Sequence, residues 1–283
     1  ELKPSGVRAS MSPHNFQTAL EEFFQVSEDL FQDWKRGTLS HESLWKGFSL
    51  EHCTEPYLFH RQGSSPLVFL THNPGQPFPF QHLDQLSKPG SILQAADNYR
   101  NNEKRLTAYY QNENQTTAAA IGRVKRMIEF SQQLGNEGLL QVELFPLHSA
   151  KRPPDKYLFG NETLPEPFNR YRFALHNILE RAPIVVALSG AAPIAGQRSV
   201  MNWLSLLGIP KAQPLILSED KKSVGAFISS SPNSGLRILL CSQGNNVLPA
   251  QSRWSQILKA ATQELSAHSR QNGFGPHFTR EDL

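Results

Sequence analysis

The sequence predicts an α/β fold: a three-layer sandwich around a central, mainly parallel four-stranded sheet, with an N-terminal helical extension. Two observations carry this. Leu67 to Leu70, Leu139 to Phe145, Ile184 to Leu188 and Arg237 to Cys241 are short, nearly continuous apolar runs, as expected of strands buried on both faces. Helix-sized stretches separate them, which is the spacing of crossover connections, with helices then lying on both faces.

In chain order, residues 1–12 read as a disordered or appended tail. Ser12-Pro13 is a helix start, a capping residue followed by proline at the first helical position, and Gly37 is a stop. Between them Phe16, Leu20, Phe23, Leu30, Phe31 and Trp34 recur at helical spacing; an aromatic stripe of this kind is either a ligand surface or a buried face, and packing is the ordinary reading. A second helical start at Ser40 leads through Leu44, Trp45 and Phe48 towards Pro56, so residues 13–62 form the extension and 63–268 the α/β body. Within the body, Thr117 to Leu134, Tyr171 to Arg181, Gln197 to Leu207 and Trp254 to His268 are the helices, and Leu215 to Leu217 with Ala226 to Ser229 an added hairpin. The stretch 269–283, with Gly273, Gly275 and Pro276 and no periodicity, reads as an irregular tail.

Composition narrows the function. With 28 basic and 25 acidic residues among 283, the net charge is +3, so a nucleic-acid surface has to be a local patch. Cys53 and Cys241 are too few for an iron-sulfur cluster or a structural zinc site; neither a metal nor another cofactor is expected, and a reducing, cytoplasmic setting is. Neither a membrane-length apolar run nor a secretory leader is read in the chain, and a monomer is expected.

In an open parallel sheet, functional loops gather at the carboxyl ends of the strands. The loops after the first and last strands are rich in side-chain amides, Thr71-His72-Asn73-Pro74-Gly75 and Ser242-Gln243-Gly244-Asn245-Asn246; amides can orient water or read a base edge. Asn73-Pro74-Gly75, directly after an apolar strand, resembles the first motif of the mismatch-specific, thymine-DNA and single-strand-selective branches of the uracil-DNA glycosylase superfamily. Phe78-Pro79-Phe80 resembles the Phe-Pro-Phe of the mismatch-specific branch, here after a shorter spacer. Ala150-Lys151-Arg152-Pro153-Pro154 is similar to a Lys-x-Arg-Pro-Pro segment of the iron-sulfur branch, which the cysteine count excludes. Val185 to Ala191 looks like the family's third strand and turn. Where the family has a second motif, His-Pro-Ser or Asn-Pro-Ser-Gly, this chain has Gln243-Gly244-Asn245-Asn246. The resemblance spans roughly residues 63 to 268, with the insert from Gln81 to Asn136 outside it.

It implies a monofunctional DNA glycosylase that flips a nucleotide out of the duplex at an unstacking cost of a few kcal/mol and hydrolyses the bond between base and sugar. Asn73 would hold the attacking water, and Phe78 and Phe80 would stack on the base. The alternative for Asn73 is a plain turn residue before Pro-Gly. Negative charge gathers on the departing base, so donors aimed at it matter more than a nucleophile; His148, His72, Gln243 and Asn245 are candidates, with Phe145 in the pocket wall. His148 either serves the reaction or satisfies a backbone carbonyl, and His72 either contacts substrate or packs beside Phe69 as a polar cap. Glu143, two residues before Phe145, should share its sheet face, as a buried acid or a cap partner. Lys151, Arg152, Arg198, Asn246 and Arg253 would contact DNA, surface charge being the default for each arginine or lysine alone.

The replaced second motif and the insert point away from uracil repair and towards another base; some relatives excise bulky modified cytosines from phage DNA. The competing reading is a catalytically silent relative that binds DNA or a modified nucleotide. A serine hydrolase lacks its Gly-x-Ser-x-Gly elbow, and a nucleotide-binding enzyme its glycine-rich phosphate loop.

Overall fold

Helix α1, Pro13–Arg36, begins at the expected proline and ends where Gly37 takes a positive φ of 68°. Thr38 N–H donates to Asp33 O and Gly37 N–H to Trp34 O, the paired closure that a left-handed residue makes possible. A computed structural model describes residues 13–39, 43–45, 48–49, 53–56, 58–61, 67–72, 90–94, 126–134, 138–149, 153–160, 163–210, 214–216, 224–231, 235–242 and 251–271. The apolar stripe of α1 is a core face: Phe16, Leu20, Phe23, Leu30 and Phe31 are buried and Trp34 partly so.

The expected second helix is replaced by strands. Ser43–Trp45 (β1) pairs antiparallel with Phe48–Ser49 (β2), and Cys53–Pro56 (β3) and Phe59–Arg61 (β4) follow. The physical reason lies in the residues: Trp45 and Phe48 are register partners in the ribbon, aromatics being well suited to strands, whereas Gly47 inside a helix would cost about 1 kcal/mol. Among the described residues the N-terminal extension is therefore helical only to Arg36.

The remaining strands are Leu67–Thr71 (β5), Leu139–Glu143 (β6), Leu147–Ser149 (β7), Ile184–Ser189 (β8), Leu215–Ile216 (β9), Val224–Ser231 (β10) and Gly235–Ser242 (β11). One sheet runs in the order β4-β6-β5-β8-β11-β10-β9. β6, β5, β8 and β11 are parallel neighbours, while β4, β10 and β9 join antiparallel. Among the described residues the sheet is thus mixed and seven-stranded, with the four expected parallel strands at its centre. The long antiparallel pairing of β10 with β11, from Val224↔Ser242 to Ser231↔Gly235, extends it on one side, and β4, within the stretch read as helical, extends it on the other. β3 and β7 make a separate small antiparallel ribbon.

Helix α2 covers 126–133; then come Asp155–Leu158 (α3), Phe168–Arg181 (α4), Arg198–Leu207 (α5) and Gln251–Gln271 (α6). Alternate strand residues feed two separate apolar cores. Val68, Leu70, Leu140, Val142, Val185 and Ala187 meet α1, α4 and α5, including Phe23, Tyr171 and Trp203. Leu67, Phe69, Leu139, Val186 and Leu188 meet Met127 and Phe130 of α2 and Trp254, Ile257 and Ala261 of α6. No described helix is long and apolar enough to cross a membrane.

Candidate functional site

The four parallel strands end at Thr71, Glu143, Ser189 and Ser242, all on one edge of the sheet. β5 connects onward to β6 on one side, and β6 returns across it to β8 on the other. The switch point lies between β5 and β8, where adjacent connections diverge and leave a crevice outside the strand ends. Buried polar side chains gather at this edge: Thr71, His72, Gln141, Glu143, Ser189 and Ser242, whereas only Ser27, Ser131 and Arg237 among the described residues are buried polar groups elsewhere. Polar groups are buried where partners meet them, and here Thr71, Gln141 and Glu143 are partners of one another.

On the α2/α6 face, Thr71 and Glu143 are directly opposite in register. The Thr71 hydroxyl donates to Glu143 Oε2, and Gln141 Nε2 donates to Glu143 Oε1 at 3.1 Å. On the other face, the Tyr171 hydroxyl donates to the backbone oxygen of Glu143 at 2.9 Å. Burial, and secondarily the nearby Glu143 charge, push the Tyr171 pKa well up, so the phenol stays protonated as this bond requires.

His72 is buried (6 % exposed), and its Nε2 accepts the indole N–H of Trp203 at 3.2 Å. Phe159 meets the imidazole edge-on, with ring centroids 6.2 Å apart. The ring therefore lies on the face opposite Phe69, because successive strand residues alternate, against the alternative of a polar cap beside Phe69. The ladder continues past the strands: Leu144 N–H donates to Thr71 O and Phe145 N–H to His72 O, both at 2.9 Å. The chain thus leaves towards Asn73 from a fixed point.

Phe145 is buried and stacked on Phe168, with centroids 5.6 Å apart and planes at 22°. It does not share the face of Glu143: β6 ends at Glu143, the chain bends, and both Leu144 and Phe145 enter the α1/α4/α5 core. Arg198 is the first residue of α5 and is exposed, and Arg253 is the third of α6 and half-buried. His148 is the central residue of β7, whose antiparallel partner is β3. Asn73, Phe78, Phe80, Lys151, Arg152, Gln243, Asn245 and Asn246 lie outside the described residues.

A groove of about 190 Å³ lies elsewhere, between α2 and α6, lined by Arg126, Glu129, Phe130, Gln133, Trp254, Ser255 and Leu258. No residue expected at the site lines it, and it belongs to the face away from His72. Among the described residues, no group of three or more histidine, cysteine or acidic side chains could hold a metal ion.

The sequence reading missed Gln141, Trp203 and Tyr171 as parts of this edge. Gln141 and Glu143 carried a signal: two polar residues at spacing two inside an apolar run mark one strand face. No protein-family model, curated protein or solved structure matches the chain.

Proposed function

We propose that the chain is a DNA glycosylase that flips out a modified or mismatched pyrimidine and hydrolyses its N-glycosidic bond, leaving an abasic site. The observation that supports this best is the common edge: the strand ends that lead into Asn73-Pro74-Gly75, the 190–197 loop and Gln243-Gly244-Asn245-Asn246 belong to three adjacent parallel strands, β5, β8 and β11, with the switch point beside β5.

In this reading the Asn73 amide orients a water for attack on the sugar C1′. The water oxygen bonds to C1′, the C1′–N bond breaks with its electron pair going to the base, and the water proton ends on the departing base. Phe78 and Phe80 stack on the extruded base, and His148, Gln243 and Asn245 donate to it as charge develops. His72, whose Nε2 is engaged by Trp203, anchors the start of the Asn73 loop. Lys151, Arg152, Arg198, Asn246 and Arg253 contact the flanking DNA. Modified cytosine, as in phage DNA, is the substrate class proposed, in a soluble cytoplasmic monomer.

The test is to incubate the protein with single-stranded and duplex oligonucleotides carrying uracil, mismatched thymine, hydroxymethylcytosine or its glucosylated form, and to assay alkali-labile sites. Release abolished by Asn73→Ala is expected. Tight DNA binding with no release from any substrate would instead favour the silent binding relative.

A further inference from the structure

The groove between α2 and α6 contains a polar atom that its own surroundings leave unmet. Arg126, Glu129, Phe130 and Gln133 recur at the spacing of one helix face on α2, and Trp254 and Leu258 meet them from the first turns of α6. Phe130 and Trp254 lie against each other, with ring centroids 4.6 Å apart and planes at 49°. Trp254 is 5 % exposed, and its indole N–H has no hydrogen-bond partner among the described residues. A buried indole N–H ordinarily finds an acceptor, and leaving it without one costs stability.

Size, wall and charge define what the groove would take. An apolar cavity of about 150 Å³ holds one benzene molecule, so a groove of about 190 Å³ takes a single six-membered ring with a small substituent. Phe130, Trp254 and Leu258 make an aromatic and aliphatic wall, suited to burying such a ring. The half-buried Arg126 and Glu129 put one cation and one anion on the same rim. A charged ligand gains from one and loses to the other, whereas an uncharged group with acceptor and donor side by side is penalised by neither.

We infer that this groove is a second binding site, for an uncharged single-ring aromatic carrying a carboxamide or a ring lactam. The ligand's oxygen accepts the Trp254 N–H, and its amide N–H is matched by the acceptors of the rim, Glu129 and Gln133. The site lies on the side of the sheet away from His72 and shares no residue with the candidate glycosylase site, so it stands or falls independently of that reading.

The test uses the full chain with its tryptophans labelled by nitrogen-15. Each of the four tryptophans gives one indole signal in a two-dimensional NMR spectrum, and Trp254→Phe identifies the signal of interest. Benzamide is the probe, with benzoate as its charged isostere and toluene as a ring without an acceptor. Benzamide should shift the Trp254 signal saturably; benzoate and toluene should bind several-fold more weakly, and Glu129→Gln should narrow the gap between benzoate and benzamide. In equilibrium dialysis Trp254→Phe should weaken benzamide binding about tenfold and leave toluene binding unchanged. No saturable shift of the Trp254 signal up to the solubility limit of benzamide overturns the inference, as does a shift centred on another indole. Equal affinity of the wild type for benzamide and toluene also overturns it, and this comparison decides the matter if Trp254→Phe melts at a lower temperature than the wild type.

Discussion

Trp203 and His72 are 131 residues apart in sequence and meet through one hydrogen bond inside the core. Replacing Trp203 with Phe removes the donor and leaves a buried imidazole nitrogen without it, a loss of about 1–3 kcal/mol; urea denaturation at neutral pH should show the lower midpoint with an unchanged slope. Ser27 presents the opposite case. It is buried in α1, and its hydroxyl has no hydrogen-bond partner among the described residues, so Ser27→Ala should raise stability by about 1 kcal/mol, seen as a higher thermal midpoint. Cys241 adds a pH dependence. Burial pushes its thiol from 9.0 up to about 12, so above pH 9 the unfolded chain loses a proton that the folded chain keeps. Its contribution to stability is complete below pH 9 and declines as pH rises towards 12. Cys241→Ala should flatten that alkaline decline in chemical-denaturation curves taken between pH 8 and 10.

Helix α4 and strand β11 are joined by a single buried cation. Arg237 donates to Leu179 O at 2.8 Å and Ala182 O at 2.9 Å, with a longer bond to Glu180 O. These carbonyls belong to the last turn and end of α4, where the helix dipole favours positive charge. Burial lowers the Arg237 pKa to about 10, which leaves it charged at neutral pH. Arg237→Met should cost about 3 kcal/mol by stranding two buried carbonyls, measured by urea denaturation.

The same scale shows what the sequence made legible. The four parallel strands were readable because burial on both faces gives continuous apolar runs, and α4, α5 and α6 because their stripes repeat at helical spacing. The ribbon at residues 43–49 was not, since two- and three-residue strands carry too few positions to display a period. Arg237, a cation inside an apolar run, gave no sign that its partners were the carbonyls of a different helix. At the candidate site, Asn73 and Gln243 stood out by type and place. Trp203 did not, because a tryptophan on a helix stripe reads as core until the fold brings a histidine to its N–H.

At the scale of the molecule, α1 is part of the body and not an appendage. Phe23 lies 5.4 Å from Tyr171 of α4 between ring centroids, and Arg170 of α4 reaches Asp29 at 3.2 Å. Phe23, Leu30 and Phe31 share one core with Val68, Leu140 and Val185. A chain starting at residue 63 is therefore expected to lose cooperative unfolding and to bind a hydrophobic dye. A sharp thermal transition from that truncated chain would show instead that residues 13–62 are a separable unit.

The parallel pairing at the sheet's centre also has a meaning in time. Thr71 meets Glu143 across 72 residues, and the other neighbour of β5 ends only at Ser189. On a ribosome adding about 5–20 residues per second, the run Leu67–Thr71 emerges seconds before either flanking strand exists. During that interval a five-residue apolar strand, fully buried in the finished protein, has nothing of its own chain to pair with in parallel. Loop closure over such distances slows native pairing, so newly made chains should depend on holding chaperones until the second half has been synthesised.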